Sequence, residues 1–133
     1  MASAAGRTAF QSTSGRLVVG VLSTADPDRH EQAIAALRAA AGYARPLTYS
    51  STDRLKVPFA LGVIDYLAET ADITFTYSGK YRQQSSPTPG QYPNLDQLTA
   101  FLTGCAYGHH AGTDHPVKQT LIAALRERTS LLA

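Results

Sequence analysis

The chain is poor in the residues that staple or anchor a protein. Its 133 residues include a single cysteine, Cys105, which excludes an internal disulfide and a Cys-rich zinc site and suits a reducing compartment. No stretch approaches the ~20 apolar residues of a membrane span, and the opening "MASAAGRTAF" lacks an apolar core of signal-peptide length, so a soluble, cytoplasmic protein without a membrane partner is expected. The phosphate-cradling patterns GxxxxGK[ST] and GxGxxG are missing, which removes the usual nucleotide-binding loops. Dense basic runs are missing as well: 12 Lys and Arg against 10 Asp and Glu give a net charge of +2, permitting a polyanionic partner without demanding one. No internal repeat of solenoid length is visible.

What remains is a chain 44% hydrophobic, enough to bury a core as one domain over residues 1–133. Arg7 to Ser12 reads as a short strand, and "RLVVGVLS", Arg16 to Ser23, as a strongly apolar, β-branched strand covered on both faces. Asp26 and Pro27 supply an N-cap and a first-turn proline, Ile34, Leu37 and Ala41 recur at helical spacing, and Gly42 ends that helix. "PLTYS", Pro46 to Ser50, reads as a further strand. Leu55, Phe59, Val63, Tyr66 and Leu67 form a second helical stripe, with Pro58 near its start or kinking it. "ADITFTYSG" alternates as an edge strand with one wet face. The proline-rich segment 80–93 has no periodicity and reads as a loop. Asn94 and Gln97 resemble a capping box before the stripe Leu98, Phe101, Leu102, Cys105, and Pro116 opens a last helix with Val117, Leu121, Ile122 and Leu125 on one face. The order points to an α/β fold, a mixed sheet with flanking helices, with ribonuclease H-like and ferredoxin-like α+β arrangements both open.

Three stretches carry a resemblance. "STSG", Ser12 to Gly15, followed by "RLVVGVL"; "PLTYSSTDRLKVPFALGVIDYLAET", Pro46 to Thr70; and "DQLTAFLTGCAYG", Asp96 to Gly108, with the "HPVKQTLIAAL" tail, are together similar to a family of ribonuclease H-like proteins whose first strand ends in Asp-Glu-Ser-Gly. The resemblance implies a metal-dependent nuclease scaffold. Where that family carries acids on the first strand, the middle strand and the late helix, this chain has Ser12, Pro46 and Ala100. A two-metal site needs several anionic oxygens around cations about 3.5–4 Å apart, which hydroxyl, pyrrolidine and methyl groups do not provide. The resemblance therefore implies a non-catalytic binding or assembly module with no cofactor.

Other residues offer competing chemistry. His109, His110, Asp114 and His115 gather in "GHHAGTDHP" and could hold a divalent metal, giving a hydrolase with a rebuilt site, or could simply line a solvated, helix-capping connection. Lys80, Tyr81, Arg82 and Tyr92 interleave cations with aromatic rings, a binding set for a protein partner ahead of nucleic acid. Helices three and four carry few polar residues, which suggests a homo-oligomer formed through them. Cys105 lies on an apolar stripe and reads as packing rather than as a nucleophile, and Asp65 with Glu69 reads as a solvated helix face. A small-molecule enzyme with a pocket lined by Tyr43, Tyr49 and Tyr66 is the third possibility.

Overall fold

The computed structural model describes residues 7–14, 18–78 and 90–132. Strands β1 (Thr8–Ser14) and β2 (Val18–Thr24) are followed by helices α1 (Pro27–Ala41) and α2 (Lys56–Glu69), strand β3 (Thr74–Ser78), and helices α3 (Pro93–Ala111) and α4 (Pro116–Arg128). The sheet runs β1-β2-β3, and β2 pairs antiparallel with both neighbours. The architecture is thus mixed α/β. The expected mixed sheet is, among the described residues, wholly antiparallel, and β3 takes the edge position its alternation predicts.

The pairing puts Phe10, Leu22 and Phe75 side by side across the three strands, and α3 packs on β1 and β2. Gly20 lies in this contact. A methyl there would stand 2.9 Å from the Phe75 ring and would strike the Thr103 hydroxyl oxygen, so only glycine lets α3 approach so closely. Helix α3 is apolar around most of its circumference, and its middle, from Leu98 to Cys105, is buried except at Ala100. A helix apolar on every side has to be surrounded. The sheet covers one side, α1 and α4 pack on others, and α2 packs on α1 and α4. Much of the apolar surface of α3, on which the expectation of self-association drew, is thus used within the chain.

Local signals explain the helix ends. Asp26 accepts from the Arg29 amide at 3.3 Å, Pro27 opens α1, and Gly42 closes it at φ 64°. Pro58 sits in the first turn of α2, where it costs no intrahelical bond. The capping box expected at Asn94 and Gln97 does not form. Tyr92 takes the N-cap position, and the Glu31 carboxylate of α1 accepts from the Asn94 and Leu95 amides, each at 3.0 Å. Gln97 turns outward, accepting from Arg38 at 2.7 Å and from the Leu47 amide at 3.0 Å. That second bond accounts for the other correction. Pro46–Ser50 forms no strand, because it crosses α3 on the side away from the sheet, and its backbone bonds side chains there. Of the expected loop over 80–93, residues 80–89 lie outside the described residues.

Candidate functional site

Two titratable side chains lie on the apolar stripes of α1 and α2, and both are fully buried. His30 stands one turn before Ile34 on α1 and is 0% exposed. Its Nε2 meets the Asp72 carboxylate at 2.8 Å and its Nδ1 meets the Tyr66 hydroxyl at 2.5 Å. Both ring nitrogens therefore have partners, Nε2 the carboxylate and Nδ1 the Tyr66 hydroxyl. Asp72 also accepts from the Thr24 hydroxyl, from the Ala25 amide at 3.1 Å and from Arg7 at 3.2 Å. Burial alone would raise the Asp72 pKa, but the bonds from Thr24, His30 and the Ala25 amide, with the His30 charge, hold it far below the usual carboxylate range. Arg7 goes on to the Ser23 carbonyl at 2.9 Å and the Asp72 carbonyl at 2.7 Å. The cluster therefore ties β1, the end of β2, α1, α2 and the entry to β3, with every polar atom of the His30 ring used.

Lys56, also 0% exposed, opens α2. Its ammonium donates to the carbonyls of Thr48, at 2.7 Å, and Ser51, with Tyr49 at 3.4 Å. Three N–H donors meet three acceptors, so a buried charge is held without a carboxylate. Burial still lowers the Lys56 pKa. Cys105 lies close by, 0% exposed, and burial pushes its thiol well above the ordinary cysteine value, with the Lys56 charge offsetting part of the rise. It is packing, as its stripe position predicts.

The histidine group divides. His109 and His110 belong to the last turn of α3, not to a loop. His110 Nε2 meets the Tyr77 hydroxyl at 3.2 Å, and Tyr77 in turn donates to the Leu132 carbonyl at 3.2 Å. His115 is the N-cap of α4, its Nδ1 accepting from the Val117 amide at 3.2 Å, and Asp114 is exposed beside it. Burial, then the Arg126 charge, then His110 lower the His109 pKa, and a neighbouring arginine also opposes a divalent cation. Among the described residues no three His, Cys, Asp or Glu side chains are grouped to hold a metal ion, so His109, His110, Asp114 and His115 do not form the expected cluster.

The remaining expected sites are equally separated. Ser12 shares the α3-facing side of the sheet with Gly20, whereas Pro46 is exposed in the segment across α3, and Ala100 is exposed on that helix. The body of α3 stands between Ser12 and Pro46. Tyr43 packs against Phe59 at 5.8 Å between ring centroids, Tyr66 bonds His30, and Tyr49 lies over Gly104 and Gly108 with Lys118 4.9 Å above its ring. Among the described residues the three tyrosines thus have separate partners. Tyr92 meets Phe10 edge-on at 5.8 Å, while Lys80, Tyr81 and Arg82 lie outside the described residues. Asp65 pairs with Arg128 at 2.8 Å on the surface, as a solvated face should.

One surface feature has no internal role. Leu55, immediately before α2, is 73% exposed, the sole large apolar side chain so exposed among the described residues. Leu55 follows Arg54 in the chain, and Arg54, Val57, Pro58, Pro116, Val117 and Thr120 line a shallow cleft of about 450 Å³ between α2 and α4. The stripe that named Leu55 as core was the only sequence signal here, and it pointed inward. Leu55 instead occupies the N-cap of α2, one residue outside the helix, where the Asp53 side chain accepts from its amide at 2.9 Å.

Among the described residues no helix is long and apolar enough to cross a membrane. Compared with protein-family models, with curated proteins and with solved structures, the chain finds no match.

Proposed function

We propose that this protein is a non-catalytic binding module that contacts a protein partner through the cleft between α2 and α4. The observation that carries the reading is Leu55, left 73% exposed beside an apolar cleft while the fold encloses nearly every other large apolar side chain described. An exposed aliphatic side chain near a preformed depression whose lining includes a cation, Arg54, fits a contact point between proteins. The buried polar groups support the same reading. His30, Lys56 and Cys105 are enclosed and committed to internal bonds or packing, which leaves them no route to a substrate.

The scaffold that accompanies this reading is ribonuclease H-like. The opening antiparallel hairpin and the third strand laid on β2 support it, whereas the separation of Ser12, Pro46 and Ala100 counts against the motif alignment. Affinity capture with the wild type and with Leu55→Asp tests the function. A protein retained by the wild type should be lost with the variant while the circular-dichroism spectrum stays unchanged. Equal retention by both would remove the cleft from the account.

A further inference from the structure

The cleft between α2 and α4 has a chemical sign. Four apolar residues, Val57, Pro58, Pro116 and Val117, line it together with Thr120 and Arg54, and no carboxylate is among them. Arg54 is exposed, and its side chain makes no ion pair or hydrogen bond among the described residues. Pro58 and Pro116 set the first turns of both helices at the cleft. Each helix therefore turns its positive end toward it, and neither carries an acid in that turn.

Further positive charge stands behind this lining. Lys56 and Lys118 adjoin Val57 and Val117 in the chain, and the Lys56 ammonium is held by carbonyl oxygens alone, so its charge is bonded without being neutralised. Burial first, and then the Lys118 charge, lower the Lys56 pKa while Cys105 and Asp53 oppose them, which places the two lysines within reach of each other's field. The nearby acids do not cancel this set. Asp53 pairs with Arg45 at 3.2 Å and accepts from the Leu55 amide, which leaves Asp114, exposed beside His115, against Arg54, Lys56 and Lys118.

We infer that the partner at this cleft is an acidic peptide segment, in which an aliphatic side chain seated among Val57, Pro58, Pro116 and Val117 is flanked by carboxylates that meet Arg54 and the positive ends of the two helices. This identity rests on the contact site proposed above and adds the charge of its occupant. An apolar floor in a positive surround selects an apolar group with anionic neighbours, because opposite charge steers the encounter and like charge across an interface is rejected. A second copy of the chain is a poor complement, since nowhere in the 133 residues do two acidic residues adjoin. Nucleic acid is a poorer one, since no aromatic ring lines the cleft to stack a base.

Selection of random peptides displayed on phage against the purified full chain provides the test. Peptides carrying Asp or Glu on both sides of Leu, Ile, Val or Met are expected. Fluorescein-labelled synthetic copies should lose binding to Thr120→Trp, which fills the cleft from an exposed position without changing charge. They should bind Arg54→Glu roughly tenfold more weakly and keep their affinity for Arg54→Lys. Added salt should weaken them too, since exposed charges are screened. Neutral or basic peptides that Thr120→Trp blocks would overturn the acidic partner and leave the cleft standing, and so would acidic peptides indifferent to Arg54→Glu. Single-stranded or duplex DNA that binds the wild type and is blocked by Thr120→Trp would identify nucleic acid instead. If Thr120→Trp blocks no selected peptide, the cleft itself fails as a contact site, and the acidic partner with it.

Discussion

The notch that seats Tyr49 offers a substitution whose sign the structure decides. Replacing glycine by alanine inside a helix ordinarily stabilises by about 1 kcal/mol, since glycine gives up more backbone freedom on folding. At Gly62 in α2 that gain should appear, because the nearest atom to a new methyl is Leu37 Cδ2 at 3.8 Å, an ordinary contact. At Gly104 in α3 the same methyl would lie 2.6 Å from Tyr49 Cγ and collide with Tyr49 Cβ. A Cβ cannot swing aside without its backbone, and that backbone is fixed by the Lys56 ammonium on the Thr48, Tyr49 and Ser51 carbonyls. Overpacking of this kind costs about 1–3 kcal/mol, and the fixed backbone places Gly104→Ala near the upper end. The net expectation is a loss of about 2 kcal/mol, set against a gain of about 1 kcal/mol for Gly62→Ala. For a chain of this size that corresponds to a fall in Tm of roughly 6–10 °C for the first and a rise of a few degrees for the second. Thermal and urea unfolding followed by circular dichroism would measure both. In a Tyr49→Gly background, which removes the Cβ as well as the ring, the methyl at Gly104 should turn from harmful to neutral or helpful. A Gly104→Ala protein that melts above the wild type, or the same loss with Tyr49 absent, would refute the reasoning.

Other expectations follow from the buried groups. The Asp72 pKa is depressed in the folded state, so its network stabilises fully above the ordinary aspartate value of 3.8 and loses that contribution as pH falls from there through the folded-state value. Melting the wild type and Asp72→Asn between pH 6 and pH 3 should show the gap between them closing at the acid end, and a gap that widens there would contradict the assignment. Cys105 should be silent toward Ellman's reagent in native protein and react fully once urea unfolds the chain; rapid stoichiometric reaction under native conditions would show that α3 opens easily. Leu55→Asp should leave the unfolding free energy within about 0.5 kcal/mol of the wild type, because an exposed residue gives up little burial; a large loss would mean that Leu55 packs in solution.

Much of the fold was legible because its punctuation is local. Asp26, Pro27, Gly42 and Pro116 act on backbone groups a few residues away, and each stands where its chemistry requires. The stripes of α3 and α4 were equally readable. What failed was long-range. Pro46–Ser50 has strand-like composition, yet its backbone bonds go to Gln97 and Lys56, far away in sequence or of the wrong polarity to be suspected. The Asn94 capping box lost to a carboxylate from another helix, Glu31, which no spacing rule reveals. His30 and Lys56 did leave a trace. Each lies in register with an apolar stripe, His30 with Ile34 and Lys56 with Phe59 and Ala60, and a charged residue on such a stripe is a candidate for enclosure. The histidine cluster misled because "GHHAGTDHP" looks contiguous on paper, whereas α3 runs on to Ala111 and divides the group between two helices.

The claim that this scaffold contacts rather than cuts is tested most directly by incubating the purified protein with single-stranded DNA, duplex DNA and RNA in magnesium or manganese, with and without a chelator. The account predicts intact nucleic acid in every reaction. Chelator-sensitive cleavage that co-purifies with the protein and disappears on substituting His109, His110 or Ser12 would contradict it.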